Sequence, residues 1–143
     1  MIRKYLKTDS LKTTLLIRIM VGVVFLSEGI QKFLYPSERG AGRFEEIGIP
    51  FPEISGAFVG TFEILCGAFI LLGLLTRFAA VPTLIIMIVA ISTTKIPILL
   101  DEGFWKMMHE ARNDWCMLLG SVFLLVKGGG YASLDADLIR KKY

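Results

Sequence analysis

Apolar residues fall into four blocks along the chain, separated by short polar stretches. The first, Leu15 to Leu34, reads LLIRIMVGVVFLSEGIQKFL and is long enough to cross a bilayer, which takes about 20 helical residues. It nevertheless carries Arg18, Glu28 and Lys32. At about 100° per residue, Arg18, Gly22, Phe25, Gly29 and Lys32 share one stripe, with Glu28 at its edge. A charge facing lipid is costly, so this stripe is expected to face protein or water.

The second predicted span covers about 54–75 and repeats the rhythm with Gly56, Gly60, Glu63 and Gly67 on one face. Gly56 and Gly60 form a small-xxx-small pair that admits close approach of another helix. A very short connection makes the third span, about 78–94, an antiparallel neighbour of the second. That span is nearly free of polar residues, so it reads as an outer packing helix ended by Lys95 and Pro97, with Pro82 in its first turn. The fourth apolar run, Trp115 to Val126, is too short to cross alone. Borrowing helix from its N-terminal side predicts a span over about 108–127, which draws His109, Arg112, Asn113 and Asp114 to membrane depth. The competing reading makes 103–113 an interfacial helix before a short fourth span. Ser133 is a predicted N-cap for a short interfacial C-terminal segment.

The fold predicted over residues 1–143 is therefore all-α: a single integral membrane four-helix bundle with antiparallel neighbours. Composition agrees, with 143 residues, 54% of them hydrophobic, and a mean hydropathy of +0.62. The net charge of +3 does not indicate a nucleic-acid partner, because the basic residues sit at chain ends and loops, where membrane topology explains them. Arg18 inside the first apolar run, with no small-residue cleavage site after it, favours an uncleaved span over a signal peptide. Four spans put both termini on one side, with nine Lys and Arg there against six on the other. That bias predicts cytoplasmic termini; the membrane expected is the bacterial inner membrane. One His and two distant Cys make a metal site improbable, so none is predicted. Cys66 and Cys116, on different helices and without a C-x-x-C, read as small buried apolar residues.

The rise per residue places Glu28 about 10 Å and Glu63 about 13–15 Å from the outer ends of their spans, with Asp114 about 9–10 Å down the fourth. The expectation is an outer cavity lined by Glu28, Glu63, His109 and Asp114, with Arg112 as counter-charge. Intramembrane ionisable groups are functional-site candidates by default. The structural alternative ties them off as Glu63 with Arg18, Glu28 with Lys32 and Asp114 with Arg112.

Arg18 to Phe33, RIMVGVVFLSEGIQKF, resembles the R-x3-G-x2-F-L-x2-G-x2-K-F signature of DoxX-type membrane proteins. Glu63 to Arg77 is similar to the second signature, E-x3-G followed by an apolar run and T-R. Gly128 to Asp135, GGGYASLD, is similar to the closing Gly-rich S-L-D. The resemblance implies a four-span bundle and carries over Arg18, Gly22, Gly29, Lys32, Glu63 and Gly67 by motif, without a catalytic role for any. It also implies company: some relatives are subunits of a thiosulfate:quinone oxidoreductase, and others assemble with oxidative-stress enzymes. The first expected function is a redox-linked membrane subunit whose polar pocket binds a quinone or a small polar or sulfur species. No cofactor motif is evident in the chain, a quinone being the one candidate. The alternatives are a small proton-linked transporter, which would work as a homo-oligomer, and a non-catalytic scaffold or assembly subunit of a membrane complex. The lipid bilayer is the partner common to all three.

Overall fold

The computed structural model describes Thr8 and residues 11–140. The expected leader, residues 1–12, lies mostly outside the described residues. The described chain is helical, without strands: α1 Thr14–Leu34, α2 Ala41–Glu46, α3 Pro52–Leu72, α4 Thr76–Ala90, a π-helical turn Ile91–Lys95, α5 Ile96–Asp101, α6 Phe104–Glu110, α7 Arg112–Lys127 and α8 Leu134–Arg140. Three of these stretches are long and apolar enough to cross a membrane: Thr14–Leu34, Pro52–Leu72 and Thr76–Asp101.

Local chemistry sets these boundaries. Pro52 opens α3, where its missing N–H costs nothing. Gly73, at φ 66°, closes α3 in a Schellman motif: Gly73 N–H donates to Ile70 O (3.1 Å) and Leu74 N–H to Phe69 O (2.9 Å). The third span does not stop at Lys95 and Pro97 as expected. The π turn widens the ladder ahead of Pro97, which then sits at the start of α5, so the apolar stretch continues to Asp101 as a unit of 26 residues. Pro82 lies in the second turn of α4, because that helix starts at Thr76.

The continuous fourth span over about 108–127 is not formed, and the helices follow the competing reading, a separate helix within 103–113 before a short fourth one. The helix breaks at Ala111 into α6 and α7, and α7 alone has 16 residues, or about 24 Å of length. Charged residues from Lys106 to Asp114 supply no continuous apolar face on which one long helix could pack.

Packing is organised by α1 on α3. A Cβ at Gly29 would stand 2.8 Å from Gly60 O, and one at Gly67 would stand 2.6 Å from Leu26 N. The backbones touch at Gly22–Gly67 and Gly29–Gly60, which fixes the register of the pair. The second tight pair is α4 on α7, where Thr83 Oγ1 donates to Ser121 Oγ (3.1 Å) and Arg77 Nη1 to Leu125 O (3.1 Å). Helix α3 also lies beside α4, and α1 beside α7. So α4 completes the ring as a packing helix and, as its apolar sequence suggested, is the least buried of the three long apolar helices. Val21, Phe25, Cys66, Ile70, Ala80, Met117 and Leu124 fill the centre.

Candidate functional site: a charged cup at one end of the helices

The ring is closed at the end where α1 begins and open at the end where α1 stops. At the open end a cavity of about 910 Å³ lies between α1, α3, α4 and α7, with the α2 segment across its mouth. Its charged lining comprises the carboxylates of Glu28, Glu38, Glu46, Glu63, Glu110 and Asp114 and the cations Lys32, Arg39, Arg43 and Lys95. Val24, Val59, Ile86, Met87 and Val89 supply the apolar wall.

The deepest charges meet because of the glycine register. Gly60 leaves room for the Lys32 stem, whose Cβ would be 3.3 Å from a Cβ at Gly60. Lys32 Nζ then stands 2.6 Å from Glu63 Oε2, with both side chains nearly enclosed (12% and 4% exposed). At that distance the contact is a charge-assisted one, and Oε2 of Glu63 is itself buried beneath Lys32. Lys95 Nζ lies 3.4 Å from Asp114 Oδ2, also largely shielded. Asp114 occupies the first turn of α7, where the helix dipole favours a negative charge. Arg39 reaches Glu28 at 4.0 Å in a more exposed contact.

Each sequence-predicted residue now has a place. Glu28, Glu63, Asp114 and Lys32 line the cavity; His109 and Arg112 do not. The break at Ala111 leaves both exposed, with Arg112 Nη1 donating to the backbone O of His109 (2.5 Å). Lys95 replaces Arg112 as the partner of Asp114. The expected pairs of Glu63 with Arg18 and Glu28 with Lys32 are likewise replaced, by Lys32–Glu63 and Arg39–Glu28.

Geometry explains the first exchange. The glycine contacts set Glu63 level with Leu26, six residues below Lys32 and eight above Arg18. Helical side chains lean toward their own N-terminus, so Lys32 and Glu63 lean toward each other across about 9 Å. Arg18 and Glu63 lean apart. Cys66 is buried as expected, but Cys116 is exposed on the cavity lining. Gly22, Gly29, Gly60 and Gly67 all serve α1–α3 contact, while a Cβ at Gly56 would stand 3.0 Å from Ala41 N.

Arg18 does its work at the closed end. Its Nη1 donates to Gly129 O (2.7 Å) and its Nη2 to Ala132 O (2.8 Å). The Gly-rich loop so held carries Ser133, whose Oγ caps α8 by accepting from Ala136 N–H (3.2 Å). It also carries Asp135, whose carboxylate accepts from Leu75 N–H (2.7 Å) and Thr76 N–H (3.0 Å). Asp135 thereby caps the start of α4 from 60 residues away. Gly73 has no Cβ because one would stand 2.6 Å from Arg18 Nη1. The sequence reading missed the roles of Asp135 and Lys95. The S-L-D motif signalled the former, and the polar ISTTK run before Pro97 could have signalled the latter.

Comparison with known proteins fits this architecture. The DoxX family model matches residues 13–96. The uncharacterized membrane protein Rv3486 of Mycobacterium tuberculosis (strain ATCC 25618 / H37Rv) is 50% identical over 144 residues, spanning 96% of this chain and 88% of that protein. The putative oxidoreductase CatD of Bacillus subtilis (strain 168) is 29% identical over 129 residues, spanning 90% of this chain and 89% of that protein. Nothing among solved structures matches the chain. The Arg18, Glu63 and Gly67 signatures lie within the matched segment, and the apolar helices carry them in order: the chain belongs to the DoxX family of membrane proteins.

Proposed function

We propose that the chain is a redox-linked subunit of the bacterial inner membrane, a four-span bundle with cytoplasmic termini whose cup, in the outer half of the bilayer, binds a quinone head group. The nearly enclosed Lys32–Glu63 pair supports this reading, because it borders a cavity of about 910 Å³ lined by both charged and apolar side chains. Lys32 offers N–H donors to a carbonyl oxygen, and Val59, Ile86 and Met87 offer contact area to a ring. A relative bearing the name putative oxidoreductase supports a redox link. Six lining carboxylates against four cations disfavour a sulfur oxyanion such as thiosulfate, which is the second ligand class to test. The apolar floor of Phe25, Ile70 and Met117 supports a blind binding site over the through-path a transporter needs.

The chain in lipid nanodiscs should bind a short-chain menaquinone or ubiquinone analogue, read by a shift in thermal unfolding or by calorimetry. Lys32→Ala should weaken that binding by about 1.5–3 kcal/mol, the value of a hydrogen bond to a charged group. Thiosulfate should bind weakly or not at all. A wild-type chain that binds neither quinone overturns the reading. Reporters fused near residue 142 and within 37–50 should report from opposite sides; the same side for both overturns the four-span topology.

A further inference from the structure

The cup has a gap in its wall. Helices α1 and α3 are sealed by the Gly29–Gly60 contact. Helices α1 and α7 touch toward the closed end, where a Cβ at Gly120 would meet Val21, with Met20 Cε at 3.4 Å and Ile17 Cγ2 at 3.9 Å. One turn toward the mouth, the facing residues are Val24 on α1 and Cys116 on α7. Both line the cavity, yet both are also exposed, Val24 by 37%. A turn further, Glu28 and Asn113 repeat the pattern, half-exposed and exposed, on the same two helices. These four residues lie on the facing sides of α1 and α7, so their exposure leaves the seam between the two helices unsealed above Val21 and Gly120. This opening lies in the side of the ring, at the level of apolar helix surface, so it faces lipid in a membrane.

We propose that the gap between Val24 and Cys116 is a lateral portal. Through it an amphiphile dissolved in the bilayer places an uncharged polar head in the cup while its apolar tail stays along the α1–α7 seam, over Met20. The inference rests on the reading of the cup as a binding site and deepens it: the ligand arrives from the lipid phase, not from water through the mouth. The charge layout agrees, because the deep Lys32–Glu63 pair lines the cup without net charge. The exposed flank of Val24 and Met20 gives a chain of methylenes an apolar track.

Two experiments on the full chain in nanodiscs decide it. Cys66 is buried, so thiol chemistry reports Cys116. A long-chain alkyl maleimide should modify Cys116 faster than a charged, water-soluble thiosulfonate does, and Val24→Trp should slow the alkyl reagent while Val24→Ala does not. Modification by the charged reagent alone, or by neither, overturns the portal. In the second experiment, a quinone with an isoprenoid tail and its tail-less head are compared on wild type and Val24→Trp. The tailed ligand should lose about tenfold or more in affinity and the bare head little, since the head can still enter by the mouth. Equal binding of the tailed ligand to both chains overturns the portal. Failure of both ligands on wild type overturns the binding reading instead, and the cysteine rates still decide the portal.

Discussion

Glu63→Ala should lower stability by about 3–5 kcal/mol, the loss measured when one partner of a buried ion pair is removed. Lys32→Ala should do the same. Each leaves an uncompensated charge beside the α1–α3 contact, on a side chain that is largely enclosed. The double variant Lys32→Met/Glu63→Met should recover most of the loss, because two apolar chains of similar volume replace a pair that is itself weak evidence of stability. Glu38→Ala, which removes a carboxylate from an exposed position at the mouth, serves as the reference and should change stability by less than about 0.5 kcal/mol. Unfolding in mild detergent, followed by tryptophan fluorescence, gives the four values. Additive losses in the double variant would mean that Lys32 and Glu63 are not each other's partner.

Arg18→Ala should be the other severe change, and at the opposite end. It removes two hydrogen bonds from a charged group, to Gly129 O and Ala132 O, each worth about 1.5–3 kcal/mol. Arg18→Lys should not restore them, since one ammonium cannot reproduce the forked donors that span two carbonyls. The consequence should travel through the loop. Once Gly129 and Ala132 are released, Asp135 loses the anchor that holds it against Leu75 and Thr76 N–H, and the start of α4 frays. Hydrogen exchange is the direct readout, with faster exchange at Leu75 and Thr76 in Arg18→Ala and in Asp135→Ala alike. Unchanged protection there in Arg18→Ala would separate the arginine from the cap.

How much of this the sequence disclosed depends on what each signal encodes. Periodicity encodes faces, so the stripe of Arg18, Gly22, Phe25, Gly29 and Lys32 and the matching face of Gly60, Glu63 and Gly67 were legible, and the two faces do meet. Periodicity does not encode reach. Whether Glu63 meets Arg18 or Lys32 depends on the axial offset of α1 against α3 and on the lean of side chains toward the helix N-terminus. The offset is set only when Gly22 seats against Gly67 and Gly29 against Gly60. Lys95 was lost to a rule that usually holds, that a basic residue and a proline end a helix. The π turn at Ile91–Lys95 accommodates Pro97 and carries Lys95 over to Asp114. His109 and Arg112 were drawn into the site by a length argument that required a continuous fourth span. Because the helix breaks at Ala111, their side chains stay outside the cup. Asp135 lies 60 residues from the backbone it caps, a separation that no local pattern spans.

On the reading proposed above, the cup holds a small ligand against Lys32 and Glu63 in the native membrane. Native mass spectrometry tests it most directly, on the chain extracted with its surrounding lipid and without added ligand. The wild-type species should carry one extra small molecule, with a mass and fragmentation in the range of a membrane quinone, and Lys32→Ala should lack it. A bare wild-type chain, or an adduct that persists unchanged in Lys32→Ala, would contradict that reading.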